Sequence, residues 1–369
     1  MKKNKLLVVV GVAVLIGMIG YNIIHKQLLG QDNTVKIGVL SFMTGTYAQM
    51  GNDLANGILL AKEEYEGGAD HLMKVELKIE DGKGEGKTSA SAFARLQQWG
   101  MDASIIAGDN QVPTVAPVVI RDKIPTVATI ISNSKCIDLN ANDVWIFRDW
   151  ISVTSMADAT ADFAVEKLGV SKFAILKMRS EFGDEAEHAF NKRISESGGS
   201  VVHVDSFNET DTDARNIITK TLSNKPNAIY VAGHGVCYGV VINQLRECGF
   251  DGFILTVDAV ISPETKSQIK DKRNIYFSSF IEPNTLIYNS FKERYKKRFG
   301  REASIYAAYG YDSLNILILG FNGQKLSAYD LRNNILNHET YHVVLGTLKF
   351  KANGDCTIPV AVRSMDSIK

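Results

Sequence analysis

An α/β architecture of two doubly wound parallel sheets is expected from three features of this sequence. Residues 35–60 (VKIGVLSFMTGTYAQMGNDLANGILL) run from an apolar strand through a small Gly-bearing turn into a helical pattern beginning near Ala48. That unit presents backbone N–H groups to a ligand at the carboxyl end of a strand. Short β-branched runs then alternate with helical patterns in two separate series, which means parallel strands covered by helices on both faces. The length, 369 residues, exceeds what one compact core usually covers.

The elements follow in order. Residues 75–81 read as a strand, followed by a helix over about 88–99; 103–109 as a strand, with a helix near 113–121; and 124–130 as the next strand. The second series opens with a helix over about 153–168 and continues with strands at 172–178, 200–207, 227–233 and 252–258, separated by helices at about 182–197, 212–223 and 236–248. The strands are near-continuous apolar runs, as strands buried on both faces are. The last third changes rhythm. Helical patterns at about 285–299, 304–320 and 327–336 precede a β tail at 343–362, which reads as extra strands returning to one of the lobes. With seven prolines in all and no long Pro/Gly/Ser linker, several short crossings between lobes fit better than one flexible tether.

Composition narrows the function. With 45% apolar and 22% charged residues the chain is globular, and 41 basic residues against 41 acidic give a formal net charge of zero. The densest basic cluster, Lys292 to Arg301, interleaves with Glu293, Tyr295 and Phe299, so it reads as the solvated face of an amphipathic helix rather than a nucleic-acid surface. At the N-terminus Lys2, Lys3 and Lys5 precede an apolar run from Leu6 to Ile24, 19 residues. As a helix this is about 28 Å long, close to the ~30 Å of a bilayer core. The basic flank leaves the rest of the chain outside the cytoplasm. Gly20 and Gly30 are the candidate cleavage residues, but Met18 and Leu28 stand where a second small residue is needed, so an uncleaved membrane anchor is expected. Four cysteines (Cys136, Cys237, Cys248, Cys356) allow three pairings; one helix separates Cys237 from Cys248 by about 16 Å, beyond disulfide reach. Among catalytic motifs there is no G-x-S-x-G and no C-x-x-C, and DGKGEGKTSAS (81–91) fails as a phosphate loop because Asp81 stands where the first Gly belongs. No cofactor and no enzymatic activity are expected.

Several motifs in fixed order carry a resemblance: IGVLSFMTGTYAQMG (37–51), AGDNQVPTVAPV (107–118), KIPTVATIISN (123–133), SEFGDEAEHAF (180–190), YVAGHGVCYGVVINQLRECGF (230–250), AAYGYDSLNILILG (307–320) and LGTLKFKANGD (345–355). Over nearly all of 34–363 the chain resembles the type I periplasmic binding proteins of branched-chain amino acid and amide uptake, the ligand-capturing components of ABC importers. The resemblance implies two Rossmann-like lobes joined by three crossings, near 148–151, 279–283 and 345–348, closing like a clamshell. Lobe one would then comprise 34–148 plus 282–345, and lobe two 149–281 plus 347–369, after an anchor and linker at 1–33. It also implies an extracytoplasmic location, an ABC permease as partner and an amino acid or related small polar molecule as ligand. The same clamshell serves sensor ectodomains that signal through a separate membrane partner, an alternative that fold alone leaves open.

In the resembled family, lobe one holds the ligand's carboxylate in the loops after strands three and four. The matching residues are Asn110, Gln111 and Thr114 in the first loop and Ile131, Ser132 and Asn133 in the second. Asp109 departs from the pattern, since it would repel a carboxylate; alternatively Asp109 and Asn110 only cap the following helix. Met50 matches a cleft-lining position or packs between helix and strand. From lobe two the resemblance implies Asp258, at the end of a buried strand, as partner of a ligand ammonium, with Phe182 and His234 at aromatic positions.

Overall fold

The structure, a computed structural model, describes residues 33–367 apart from 46, 70, 142, 235, 262 and 281–284. The expected membrane anchor at 6–24 lies outside the described residues, as does part of the expected crossing at 279–283. Among the described residues no helix is long and apolar enough to cross a membrane.

The first sheet contains β1 (Thr34–Ser41), β2 (Lys74–Asp81), β3 (Ala103–Ala107), β4 (Thr126–Thr129) and β5 (Ile146–Arg148). These strands are all parallel, in the order β2-β1-β3-β4-β5. The second sheet contains β6 (Lys172–Met178), β7 (Ser200–Phe207), β8 (Ala228–Ala232), β9 (Phe253–Val257) and β10 (Ile275–Phe280). It repeats the same order, β7-β6-β8-β9-β10, with one antiparallel edge strand added beyond β10. Two doubly wound sheets are therefore present. In each, the strand order reverses beside the first strand of the series, and a crevice opens there at the carboxyl ends.

The helices of the first series are α1 (Ala48–Gly67), α2 (Gly86–Trp99), α3 (Gln111–Arg121) and the short α4 (Lys135–Asp138). Those of the second are α5 (Val153–Glu166), α6 (Glu181–Glu196), α7 (Arg215–Ser223), α8 (Val236–Glu247) and α9 (Pro263–Gln268). Then α10 (Leu286–Phe299), α11 (Ile305–Phe321) and α12 (Ala328–Asn337) return to the first lobe. There α11 lies along α1 and also touches β4. The two helices approach backbone to backbone. A Cβ on Gly57 would stand 1.9 Å from the Ala307 carbonyl oxygen, and one on Gly310 would stand 2.1 Å from that of Leu54. Beside them, α10 buries Tyr288, Phe291 and Tyr295. Its basic residues meet carboxylates of α1: Arg294 pairs with Glu64 at 2.7 Å and Arg298 with Glu63 at 2.7 Å. The basic cluster is thus balanced by a neighbouring helix.

The β tail divides. The strands β11 (Tyr341–Val343), β12 (Gly346–Phe350) and β13 (Cys356–Thr357) form a separate antiparallel sheet, and only β14 (Val360–Ser364) joins the second sheet, antiparallel to β10. The expected crossing at 345–348 falls within the small sheet, whose aromatic core includes Phe350 against Phe147, with ring centroids 5.3 Å apart, and against Tyr341 at 5.6 Å. All four cysteines are free thiols, three of them buried.

Candidate functional site

The loop after β4 meets the start of the helix after β6, and the charge of Asp109, after β3, reaches His234, after β8. Asp81, at the end of β2, fixes the loop after β1: it accepts from the backbone N–H of Met43 at 2.9 Å, the Thr44 hydroxyl at 2.5 Å and the backbone N–H of Lys83 at 2.9 Å. These bonds hold its carboxyl below the usual range in spite of burial.

The loop after β3 sets Asp109 beside the loop after β4. After β4 the chain turns sharply at Ile130, whose φ of 54° is a left-handed conformation that a β-branched residue rarely adopts. The following N–H groups surround the Asp109 carboxylate. Ser132 donates from its backbone N–H at 3.1 Å and its hydroxyl at 3.3 Å, and Asn133 donates its backbone N–H at 3.1 Å. The Asp109 carboxylate is itself open to solvent, yet enough protein stands around it that burial, the largest influence, raises its pKa, offset in part by these donors and by the charge of Arg148. Behind it Arg148 is 1% exposed; it donates to the Ser132 carbonyl at 3.2 Å and pairs with Asp355 at 2.7 Å.

The second lobe reaches across this edge through the first turns of α6. Ser180 caps that helix by accepting the Gly183 N–H at 3.1 Å. Glu181 accepts from the Asn133 amide at 2.7 Å and pairs with Lys135 at 2.9 Å. Glu185 accepts the Ser134 N–H at 3.0 Å and the Ser134 hydroxyl at 2.5 Å. Neither glutamate was anticipated from the sequence, because only the folded chain brings the 133–135 turn to this helix.

Deeper in the second lobe, the half-buried Phe182 and His234 meet edge to face with centroids 5.8 Å apart. Burial lowers the His234 pKa, with the charges of Glu209 and Asp109 opposing, so the ring is neutral at pH 7. Asp258 is half-buried at the start of a 3-10 turn (Asp258–Ile261) after β9. Burial pushes its carboxyl up to about 6, with only backbone N–H groups to offset it. Its charge reaches Tyr309 of α11, in the opposite lobe. Against Tyr309 leans Trp150, 4.1 Å between centroids, and Trp150 stacks on Tyr306 at 6.2 Å with the ring planes 2° apart. Trp150 and Tyr306 are half-buried, and sequence reasoning missed both. A tryptophan within the expected first crossing was the available signal.

The remaining expected site residues are placed as follows. Met50 is half-buried in the first turn of α1, against the core. Asn110 is exposed at the start of α3, with no side-chain cap bond. Gln111 is fully buried, its amide donating to the Ala107 carbonyl at 2.6 Å and accepting from Ser89 at 3.1 Å. Thr114 donates to the Asn110 carbonyl at 2.8 Å and faces Gly86 of α2. Ile131 is fully buried among the helices and strands of lobe one. The structure therefore joins Ser132 and Asn133 to Asp109 and Phe182 to His234, while Gln111, Thr114 and Ile131 are engaged inside lobe one.

Two buried carboxyls lie between the cleft and the small sheet. Asp149 accepts from Ser313 at 2.5 Å with its other oxygen unbonded; Asp312 accepts the N–H groups of Val344 at 2.8 Å and Leu345 at 3.2 Å. Both line a cavity of about 10 Å³, room for one water-sized sphere.

A model of the family described as "Periplasmic binding protein" matches residues 34–355. A Leu/Ile/Val-binding protein homolog from Brucella melitensis is 25% identical over 240 residues, which span 62% of this chain and 62% of that protein. Among solved structures, a leucine-binding protein, LivK, from Thermotoga maritima superposes with a TM-score of 0.77 at 24% identity, covering 90% of this chain and 95% of its own. The isoleucine complex of the branched-chain amino acid transporter substrate-binding protein LivJ from Streptococcus pneumoniae superposes with a TM-score of 0.74 at 23% identity, covering 90% and 96%. At that identity the two structures speak for the fold. The paired sheets, the opposed loops and the family match lead to one assignment: the chain belongs to the periplasmic binding protein family, which binds solutes and does not transform them.

Proposed function

We propose that this chain is the solute-capturing component of an ABC importer. It is held at the outer face of the cytoplasmic membrane by residues 6–24 and closes on an amino acid or related small polar organic molecule. One observation carries this reading. Two sheets of identical strand order oppose their carboxyl-end loops, and the lobes are tied across the gap by Asn133 to Glu181 and Ser134 to Glu185. A ligand touching both lobes favours this closed arrangement by its differential affinity, and a permease reads the closure. The passages between lobes, beginning at 148–151, act as the hinge. In this reading Met50, Asn110, Ser132, Phe182, His234 and Asp258 touch the ligand, while Gln111, Thr114 and Ile131, engaged inside lobe one, support the loops from behind. The LivJ structure with isoleucine supports a ligand of amino acid size.

The test is calorimetric titration of the detergent-solubilised chain with amino acids, amides, amines and aromatic acids, coupled to a thermal-shift readout. Saturable one-to-one binding with a rise in Tm is expected for one of these classes; a flat response to all of them rejects the reading.

A further inference from the structure

We propose that the ligand is a small organic ammonium ion with no carboxylate at the Asp109 end of the cleft. This rests on the solute-binding reading above and narrows its substrate class.

Three observations carry it. First, the N–H groups of Ser132 and Asn133 and the Ser132 hydroxyl are the donors in that loop suited to an anion, and the protein's own Asp109 carboxylate already holds all three. A ligand carboxylate there would find its donors taken and a like charge beside it. Second, the opposite lobe adds a further acid, Asp258, half-buried at a strand end, with backbone N–H groups beside its carboxyl. Third, the charge of Asp258 acts on Tyr309, against whose ring Trp150 leans, and Trp150 in turn stacks on the half-buried Tyr306. Ring faces beside carboxylates attract an ammonium ion, and desolvation in a closed cleft strengthens that attraction. The neighbouring His234 is neutral at pH 7 and adds no competing positive charge. Arg148, the nearest cation to Asp109 by its influence, is 1% exposed and bonded to Asp355 and the Ser132 carbonyl, so it is not free to receive a ligand anion.

Matched probes test this on the full-length protein in detergent. Leucine, phenylalanine and arginine are each compared by calorimetry with their carboxyl amide and their decarboxylated amine. In the wild type the amine of the best-binding set is expected to bind at least tenfold more tightly than its amino acid. Asp109→Ser, which frees the donors and removes the charge, is expected to shrink that ratio at least tenfold; Asp109→Asn, closest in shape, should move it the same way if the serine variant folds poorly. Tighter binding of the amino acid by the wild type, or a ratio that neither variant moves, overturns the inference while leaving the solute-binding reading intact. Silence across every set rejects the solute-binding reading and the inference with it.

Discussion

Asp258 is the residue on which ligand charge is most directly tested. Asp258→Ala is expected to abolish the thermal shift produced by any amine ligand, and an unchanged shift would remove this side chain from the site. Its carboxyl titrates near 6, so the acid form takes over below that pH. Amine affinity is therefore expected to hold from pH 7 to 8 and to fall roughly tenfold per unit below about pH 6, measured by titration in matched buffers. Asp109 illustrates what the sequence could convey. Its charge at an expected anion loop was visible, and so was the conflict with a carboxylate ligand. Whether it capped α3 or faced the cleft depended on where the turn after Ile130 came to rest, which is a tertiary fact. Gln111 is the converse case. Its position at the head of a helix suggested a ligand contact, but the buried amide answers the Ala107 carbonyl and Ser89 instead. No local pattern distinguishes those two fates for a polar side chain.

Within α1, two glycines stand in opposite circumstances. Gly57 lies where the backbone of α11 leaves no room for a methyl group, whereas Gly67 has nothing within 4 Å of its would-be Cβ. Gly57→Ala is expected to force the helices apart and destabilise by about 1–3 kcal/mol. Gly67→Ala is expected to stabilise by about 0.4–1 kcal/mol through reduced freedom of the unfolded chain. Thermal denaturation of the two variants should therefore move Tm in opposite directions. Most helices and the long strands were legible because their apolar periodicity is strong over ten or more residues or because the strand is buried on both faces. β5 was not, since three residues ending in Arg148 give no period to read. β10 was overlooked because two serines interrupt its apolar run, and its edge partner β14 follows much later in the chain. The small sheet could be read as strands but not assigned a neighbour, because its packing partner Phe147 lies some two hundred residues earlier.

For the molecule as a whole, the buried acids Asp149 and Asp312 set a pH dependence opposite to that of ordinary acid denaturation. Burial pushes Asp149 up to about 7 and Asp312 up to about 8, against about 3.8 in an unfolded chain. The folded state therefore binds more protons than the unfolded state between about pH 4 and 8, and this contribution is present at the acid end and lost as pH rises. Tm is expected to fall between pH 5 and pH 8, and Asp149→Asn, which resembles the protonated acid, should flatten the slope. A Tm that climbs across this range would contradict it. Closure has its own test. Glu185→Ala removes both acceptors of Ser134 across the gap. The variant should populate an open form more, with faster ligand release by stopped-flow and little change in Tm. The repeated strand order has a last consequence. Because both halves are laid out on one plan, a molecule caught between them meets two equivalent rims, and only a handful of loop side chains tell one rim from the other. Such a chassis can be retargeted to a different nutrient by exchanging those few positions while every strand stays where it is.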